Sequence, residues 1–284
     1  MFELIGCDKN PVPLSQRIPS PYDIAMLPQI LFVIPARIGS QRLPRKMLAK
    51  LSENKILLQA TYERVLSSKY YDKRQSNVFI ATDDVEIESE SKKFGAKVVL
   101  TSPSCLSGSD RIAQALDKIE MKPDIVVNVQ GDEPFLDYRH LDLAIDGLMK
   151  NQWADVSTCA IKYEDNLILK QDISKVKVVF SSRNHSALYF SRSPIPYDSK
   201  IWFKHIGIYC YRPSILKIFS KESQTPLEQV ERLEQLRLLE LGYKVLVVEV
   251  TALDWRNSLS VDTEEDLKNA RKVFQKCFSP SNSQ

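Results

Sequence analysis

The sequence predicts an α/β protein with a mostly parallel sheet and a smaller, partly antiparallel β part. Three observations carry this. From Gln29 to about Gln130, short apolar runs alternate with amphipathic stretches of helical period, the pattern of successive βαβ units. Asp124–Val129 is a near-continuous apolar run, as expected of a strand buried on both faces. From about Ala154 onward, strand-like runs follow one another with little helix between them.

In chain order, residues 1–28 carry Pro11, Pro13, Pro19, Pro21 and Pro28 without periodicity and read as a mobile extension. Ile30–Ile34 is the first strand and breaks at Pro35. Val78–Thr82, Lys97–Thr101 and Asp124–Gln130 are the next strands, with helices near 56–68, 84–94 and 110–120 between them. The later strands fall at 155–163, 175–180, 186–191, 205–211 and 244–250. Thr225-Pro226-Leu227-Glu228 is a capping box with proline at the first helical position, opening a helix over 226–241. Thr263-Glu264-Glu265-Asp266 starts the last helix, over 264–277, and residues 279–284 read as a frayed tail.

Composition narrows the function. A net charge of +3 over 284 residues is too small to argue for nucleic acid or a membrane surface, and no apolar run reaches the ~20 residues of a membrane span. The N-terminus lacks the basic and apolar regions of a secretory signal. Five cysteines without C-x-x-C spacing suit reduced thiols in a cytoplasm rather than a zinc site or a disulfide scaffold. Neither G-x-G-x-x-G nor G-x-x-x-x-G-K-[ST] occurs, so a dinucleotide fingerprint and a P-loop are both excluded.

The chemistry concentrates at the ends of predicted strands. After Ile30–Ile34, the stretch Ile34–Lys46 carries Arg37, Gly39, Ser40, Arg42, Arg45 and Lys46. Fixed cations and a glycine that lets backbone N–H groups approach suit a polyphosphate. A basic cluster is also compatible with a solvated loop. Its position favours the first reading, because open α/β sheets bind ligands at the carboxyl ends of their strands. Asp132 follows the buried strand 124–130 and is the first choice for a Mg²⁺ ligand, with a turn-forming role as the alternative. Asp262 is the second carboxylate, with helix capping as its alternative. His205 and Tyr209 share one face of a strand by period two, and His205 alone could be a satisfied hydrogen bonder. Glu234 and Gln235 lie on an amphipathic helix whose outer face could simply be solvated, and Arg111 could be a first-turn surface residue.

Eight motifs in order carry a resemblance: P-A-R-x-x-S-x-R-L-P at 35–44, A-T-D at 81–83, S-G-S-D-R at 107–111, N-V-Q-G-D-E-P at 128–134, A-L-Y-F-S-R-S-P-I-P at 187–196, H-I-G-I-Y-C-Y-R at 205–212, P-L-E-Q-V-E-R-L-E-Q-L-R at 226–237 and V-D-T-E-E-D-L at 261–267. With these the chain resembles the CMP-KDO synthetases (3-deoxy-manno-octulosonate cytidylyltransferases) from about Leu31 to Ala270. The resemblance implies a Rossmann-like nucleotidyltransferase fold in a single domain over 29–278. It implies transfer of CMP from CTP to KDO for lipopolysaccharide biosynthesis, with Mg²⁺, in a cytoplasmic homodimer.

Residue by residue, it implies that Pro35, Ala36, Arg37, Ser40 and Lys46 contact CTP, with Arg37 and Lys46 on its phosphates. Asp83, Ser107, Gly108 and Arg111 line the nucleotide pocket, Gln130 lies between nucleotide and sugar, and Asp132 and Asp262 hold Mg²⁺. Arg42, Arg192, His205, Tyr209, Glu234 and Gln235 face the sugar acid. Four positions depart from the family pattern: Arg45 stands for the glycine before the lysine, Asp84 for a frequent histidine, Ser260 for a frequent glycine, and the segment 196–205 is short. Activation of a sialic acid or an 8-amino KDO analogue, or a non-catalytic nucleotide-binding role, are the competing readings.

Overall fold

The computed structural model describes residues 28–40, 42–74, 77–251 and 260–278. The proposed mobile extension before Pro28 and the tail 279–284 lie outside the described residues. In chain order the elements are β1 (Ile30–Ala36), β2 (Lys50–Ser52), β3 (Lys55–Ile56), α1 (Leu57–Val65), β4 (Val78–Thr82), α2 (Val85–Lys93), β5 (Lys97–Leu100), α3 (Gly108–Leu116), β6 (Ile125–Asn128) and α4 (Tyr138–Lys150). There follow β7 (Val156–Glu164), α5 (Leu167–Gln171), β8 (Lys177–Phe180), β9 (Ala187–Ser191), β10 (Ile201–Tyr211), α6 (Pro213–Phe219), α7 (Pro226–Glu231), α8 (Gln235–Glu240), β11 (Val245–Val250) and α9 (Glu264–Phe278).

The main sheet has the order β11-β7-β10-β6-β1-β4-β5. Every neighbouring pair is parallel except those made by β10, which runs antiparallel to both β6 and β7. The smaller antiparallel part is the β8–β9 hairpin, which joins the sheet through the pairing of β8 with Phe203 and Lys204 of β10. It is therefore continuous with the main sheet.

The strands alternate as a twice-covered sheet requires. Ile30, Phe32 and Ile34 of β1 face one core with Leu58, Tyr62 and Val65 of α1 and Leu141, Ile145 and Leu148 of α4. Leu31 and Val33 face the other, with Ile112, Ala115 and Leu116 of α3 and Leu236 and Leu238 of α8. Fully burying side chains of this size is worth about 1.5–3 kcal/mol each. A third cluster packs α9, through Leu267, Ala270 and Val273, with the fully buried Val261, onto Leu51, Leu57 and Phe135.

Several elements differ from the sequence expectation. β1 does not break at Pro35 but continues through Ala36, paired with Ala81 and Thr82 of β4. Val33 O accepts from Val129 N, so by alternation Pro35 turns its donorless nitrogen toward the β6 side, where pairing with β1 stops at Asn128. The helix expected over 226–241 is two short helices, separated at Arg232, whose φ is 56°. β10 begins at Ile201, so His205 lies within a strand rather than at its start, and half of the 196–205 segment is sheet. Trp202 and Phe203 fill the hairpin side: the Trp202 ring stacks on Tyr163 at 4.8 Å, and Phe203 meets Phe180 edge-on. β2, β3, α4, α5 and α6 are elements the periodicity did not mark out. Among the described residues no helix is long and apolar enough to cross a membrane.

Candidate active site

The carboxyl ends of β1 and β6 open into a cleft of about 1240 Å³. Its floor is set by close backbone approach. A Cβ on Gly131 would lie 3.0 Å from Met47 Sδ, and one on Gly108 would lie 3.3 Å from Pro35 Cγ. These two glycines let the basic loop after β1 settle against the loop after β6 and against the start of α3.

Lys46 opens a single 3-10 turn, Lys46–Leu48, immediately after Arg45 in the left-handed conformation (φ 56°). Arg45 thus adopts the backbone that a glycine would take most readily, and its guanidinium pairs with Glu86 on α2. The neighbouring departure is also accounted for. Asp84 caps α2 by accepting from the Glu86 and Ile87 N–H groups, each at 2.9 Å.

The turn directs the buried Lys46 ammonium between two carboxylates, at 2.5 Å from Asp132 Oδ2 and 3.0 Å from Asp262 Oδ1. Asp132 and Asp262 are far apart in sequence, and a backbone bond from Val261 N to Asp132 O (3.0 Å) brings their loops together. Burial draws Lys46 toward neutrality. The charges and hydrogen bonds of Asp132 and Asp262 outweigh it, so the Lys46 pKa stands above the ordinary 10.5. Arg42, expected at the sugar, lines the cleft and pairs with Asp262 Oδ1 at 3.0 Å. Among the described residues there is no cluster of three or more His, Cys, Asp or Glu that could hold a metal.

Pro35, Ala36, Arg37, Ser40, Arg42 and Lys46 line the cleft on one side, with Ser107, Gly108, Arg111, Gln130, Asp132 and Asp262. Ser107 caps α3 in a reciprocal capping box with Asp110, and its hydroxyl donates to Glu234 Oε1 at 3.0 Å. Arg111 is held from behind by Asp83 (3.2 Å) and Thr101 Oγ1 (2.6 Å). Asp83 therefore supports this wall without lining it, and its Oδ1 is buried with no hydrogen-bond partner.

The far wall is built from Ile173, Ser174, Arg192, Val230, Glu231 and Arg232. Of these only Arg192 was expected; Glu231 and Arg232 stand in the P-L-E-Q-V-E-R motif, which was their one sequence signal. Six basic side chains face three acidic ones around the cleft.

His205, Tyr209, Glu234 and Gln235, expected at the sugar, sit behind these walls. The His205 and Tyr209 rings do meet, 5.4 Å apart, and His205 Nε2 lies 2.9 Å from Thr158 Oγ1. Burial, and then the Lys204 charge, push the His205 pKa down to about 3, so the ring is neutral. Gly207 between them leaves room toward Gln130 and Glu133. Burial raises the Glu234 carboxyl, against the pull of Ser107 and Arg237. Gln235 is buried at the start of α8.

A mostly parallel sheet with a cation-rich cleft, in which the segment after β6 and the segment before α9 pair their carboxylates, fits a nucleotidyltransferase of the α/β class. Residues 31–245 match the cytidylyltransferase family, and the chain belongs to it. It is 42% identical over 259 residues to the 3-deoxy-manno-octulosonate cytidylyltransferase of Francisella tularensis subsp. tularensis, covering 86% of this chain and 98% of that one. It is 44% identical over 260 residues to the protein of that name from Thermodesulfovibrio yellowstonii, covering 85% and 96%. A solved structure of CMP:2-keto-3-deoxy-manno-octonic acid synthetase complexed with CTP superposes with a TM-score of 0.79 at 35% identity, covering 87% of this chain and 99% of that chain.

Proposed function

We propose that this chain is a 3-deoxy-manno-octulosonate cytidylyltransferase, transferring CMP from CTP to KDO and releasing pyrophosphate for lipopolysaccharide biosynthesis. The observation that carries the reading is the Asp132–Lys46–Asp262 bridge at the end of β6, in a cleft with twice as many basic as acidic side chains. Such a cleft suits two anionic substrates at once. The names borne by the relatives, and the CTP bound to one of them, point to the same pair.

In this reading the anomeric hydroxyl of the sugar attacks the α-phosphorus of CTP, and the α–β phosphoanhydride bond breaks with its electron pair leaving on pyrophosphate. The protein's part is alignment and neutralisation of charge. Pro35, Ala36, Ser40, Ser107 and Gly108 form the nucleotide side. Arg37, which is exposed, and Lys46 reach the outer phosphates. Gln130 separates the two substrates. Arg192 faces the sugar carboxylate, and Arg42, His205, Tyr209, Glu234 and Gln235 complete or support the sugar side.

Asp132 and Asp262 fit a Mg²⁺ site. They offer two hard oxygen donors already facing one cation, and such sites take their remaining ligands from substrate phosphate and water. Bound there, Mg²⁺ would offset the charge on the reacting phosphates. We also propose a cytoplasmic homodimer. Free thiols at Cys105, Cys159 and Cys210 support the compartment, and exposed apolar side chains such as Ile168, Ile173 and Tyr197 support association.

Pyrophosphate release, measured over CTP, UTP and GTP with KDO, an 8-amino KDO analogue and sialic acid as acceptors, tests the assignment. CTP with KDO is the expected pair. Preference for another acceptor moves the substrate to that sugar acid, and no release with any pair supports a non-catalytic nucleotide-binding protein.

A further inference from the structure

The far wall of the cleft is assembled from three segments remote in sequence, and hydrogen bonds show what joins them. The Arg192 guanidinium reaches only backbone carbonyls among the described residues: Glu231 O at 3.0 Å, Ile173 O at 3.2 Å and Arg232 O at 3.4 Å. Among the described residues no carboxylate forms an ion pair with it, unlike Lys46 and Arg42, and its remaining N–H groups can meet an anion in the cleft. The return contact is made by the Glu231 carboxylate, which accepts from Ser191 Oγ at 2.6 Å and from Arg192 N at 2.9 Å.

Glu231 ends α7, and the next residue, Arg232, turns the chain through the left-handed region before α8. Leu233 buries the far side of that elbow in the core, while Val230, beside Glu231, is 82% exposed. From beneath, the fully buried Lys177 donates to Arg192 O at 2.5 Å, Lys175 O at 2.7 Å and Asp172 O at 2.9 Å, so the 172–175 loop is tied to the same point.

We propose that Glu231 is the positioning residue for Arg192: its carboxylate fastens the α7–α8 elbow to the end of β9 and so aims the guanidinium into the cleft. The inference rests on the reading that Arg192 meets the sugar carboxylate. Glu231 itself touches no reacting atom. A charge-assisted acceptor is needed because three donors, the Ser191 and Tyr189 hydroxyls and the Arg192 backbone N–H, must be held, and a carboxylate serves them without offering a competing donor. A glutamine at this position brings an NH₂ group into a site furnished with donors.

The test uses the full chain and Glu231→Gln, with Ser191→Ala as a second, milder variant. In the free protein, the ¹H–¹⁵N signal of Arg192 Nε, assigned by its disappearance in Arg192→Lys, is followed for exchange with water. Glu231→Gln is expected to speed that exchange about tenfold or more. In turnover, Glu231→Gln is expected to lower kcat/KM for KDO about tenfold while KM for CTP stays within about twofold. In an Arg192→Lys background the same change is expected to cost less than about twofold, because the guanidinium it positions is gone. Ser191→Ala is expected to give the same pattern at smaller size. The proposal is overturned if Nε exchange is unchanged, if KM for CTP rises in step with the loss on KDO, or if the tenfold loss persists in the Arg192→Lys background. If the wild type does not turn over KDO at all, the proposed function fails, while Nε exchange still decides whether Glu231 holds Arg192.

Discussion

Replacing Lys46 with methionine removes the cation shared by Asp132 and Asp262 and leaves the rest of the turn its shape. The Lys46 side chain is 9% exposed, Asp132 20% and Asp262 33%. Breaking a fully buried pair costs about 3–5 kcal/mol and a surface pair about 0–1 kcal/mol. This bridge lies between the two, so a loss of about 2 kcal/mol is expected. In a chain of this length each kcal/mol moves the melting temperature by about 2–4 °C, which gives a drop of about 4–8 °C.

The sign with pH follows from the raised Lys46 pKa. The stabilisation is complete below the ordinary 10.5 and is lost as pH rises through the folded-state value. The difference between wild type and variant is therefore flat through neutral pH and closes only in strong alkali. Mg²⁺ supplies the second half of the assay. If these carboxylates are the proposed Mg²⁺ site, removing the buried ammonium leaves only the exposed Arg42 pairing with Asp262, so millimolar Mg²⁺ is expected to raise the melting temperature of the variant more than that of the wild type. Thermal melts at pH 7.5, with and without Mg²⁺, decide it. A variant that melts within about 1 °C of wild type and responds equally to Mg²⁺ refutes the view that Lys46 holds a cation's place between the carboxylates.

Asp132→Asn is expected to reduce kcat by about 10²–10³ while the protein still folds, since an amide is a much weaker ligand for the Mg²⁺ that would offset the charge on the reacting phosphates; near-normal turnover at saturating Mg²⁺ would remove Asp132 from the mechanism. His205, with its pKa depressed to about 3, contributes stability that is present above the unfolded value near 6.5 and is lost as pH falls below it, by about 1.4 kcal/mol per pH unit. Urea midpoints between pH 6.5 and 5 should therefore fall more steeply for wild type than for His205→Gln, and parallel curves would contradict the buried neutral ring. Arg45→Gly is expected to leave KM for CTP within about threefold, whereas Arg45→Val, β-branched in the left-handed region, should lose about 1–2 kcal/mol in denaturant melts; equal stability of the two would mean that the φ of 56° is not required.

Local signals made much of this protein legible. The apolar run at β1, the capping box at Thr225, the Thr263 start of α9 and the carboxylate after β6 each state their element within a few residues of chain. α4 had a signal too, with Asp137 as its cap and Leu141, Ile145 and Leu148 along one face, but it follows the strand-end motif so closely that the motif absorbed the segment. The break at Arg232 had none, because an arginine in the left-handed region looks like any helical arginine in sequence. The Lys46 bridge was equally silent. Three residues expected at a ligand proved to be partners of one another, through the Val261–Asp132 backbone bond that no spacing rule expresses. His205 and Tyr209 were placed on one face correctly by period two, yet that face is covered: Phe190 packs on the His205 ring at 5.1 Å.

β10 has a mechanical consequence. Its eleven residues are shared by three neighbours: Phe203 and Lys204 pair with β8, Ile201–Tyr211 with β7, and Tyr209–Tyr211 with β6. The irregular step between Ile206 and Tyr209 lies between the stretch bound to the hairpin and the stretch bound to β6. A twist applied to the hairpin is thus passed along β10, across a step bridged by the Thr158 hydroxyl donating to Ile206 O and Ile208 O, to the pairing with Asn128, two residues from Gln130. Gly207 occupies that step, where the backbone is least constrained by a side chain. Ligand-induced movement of the hairpin would therefore register at the amides on either side of Gly207 before it registers at β1, and amide exchange along β10 would show the order in which the strand gives way.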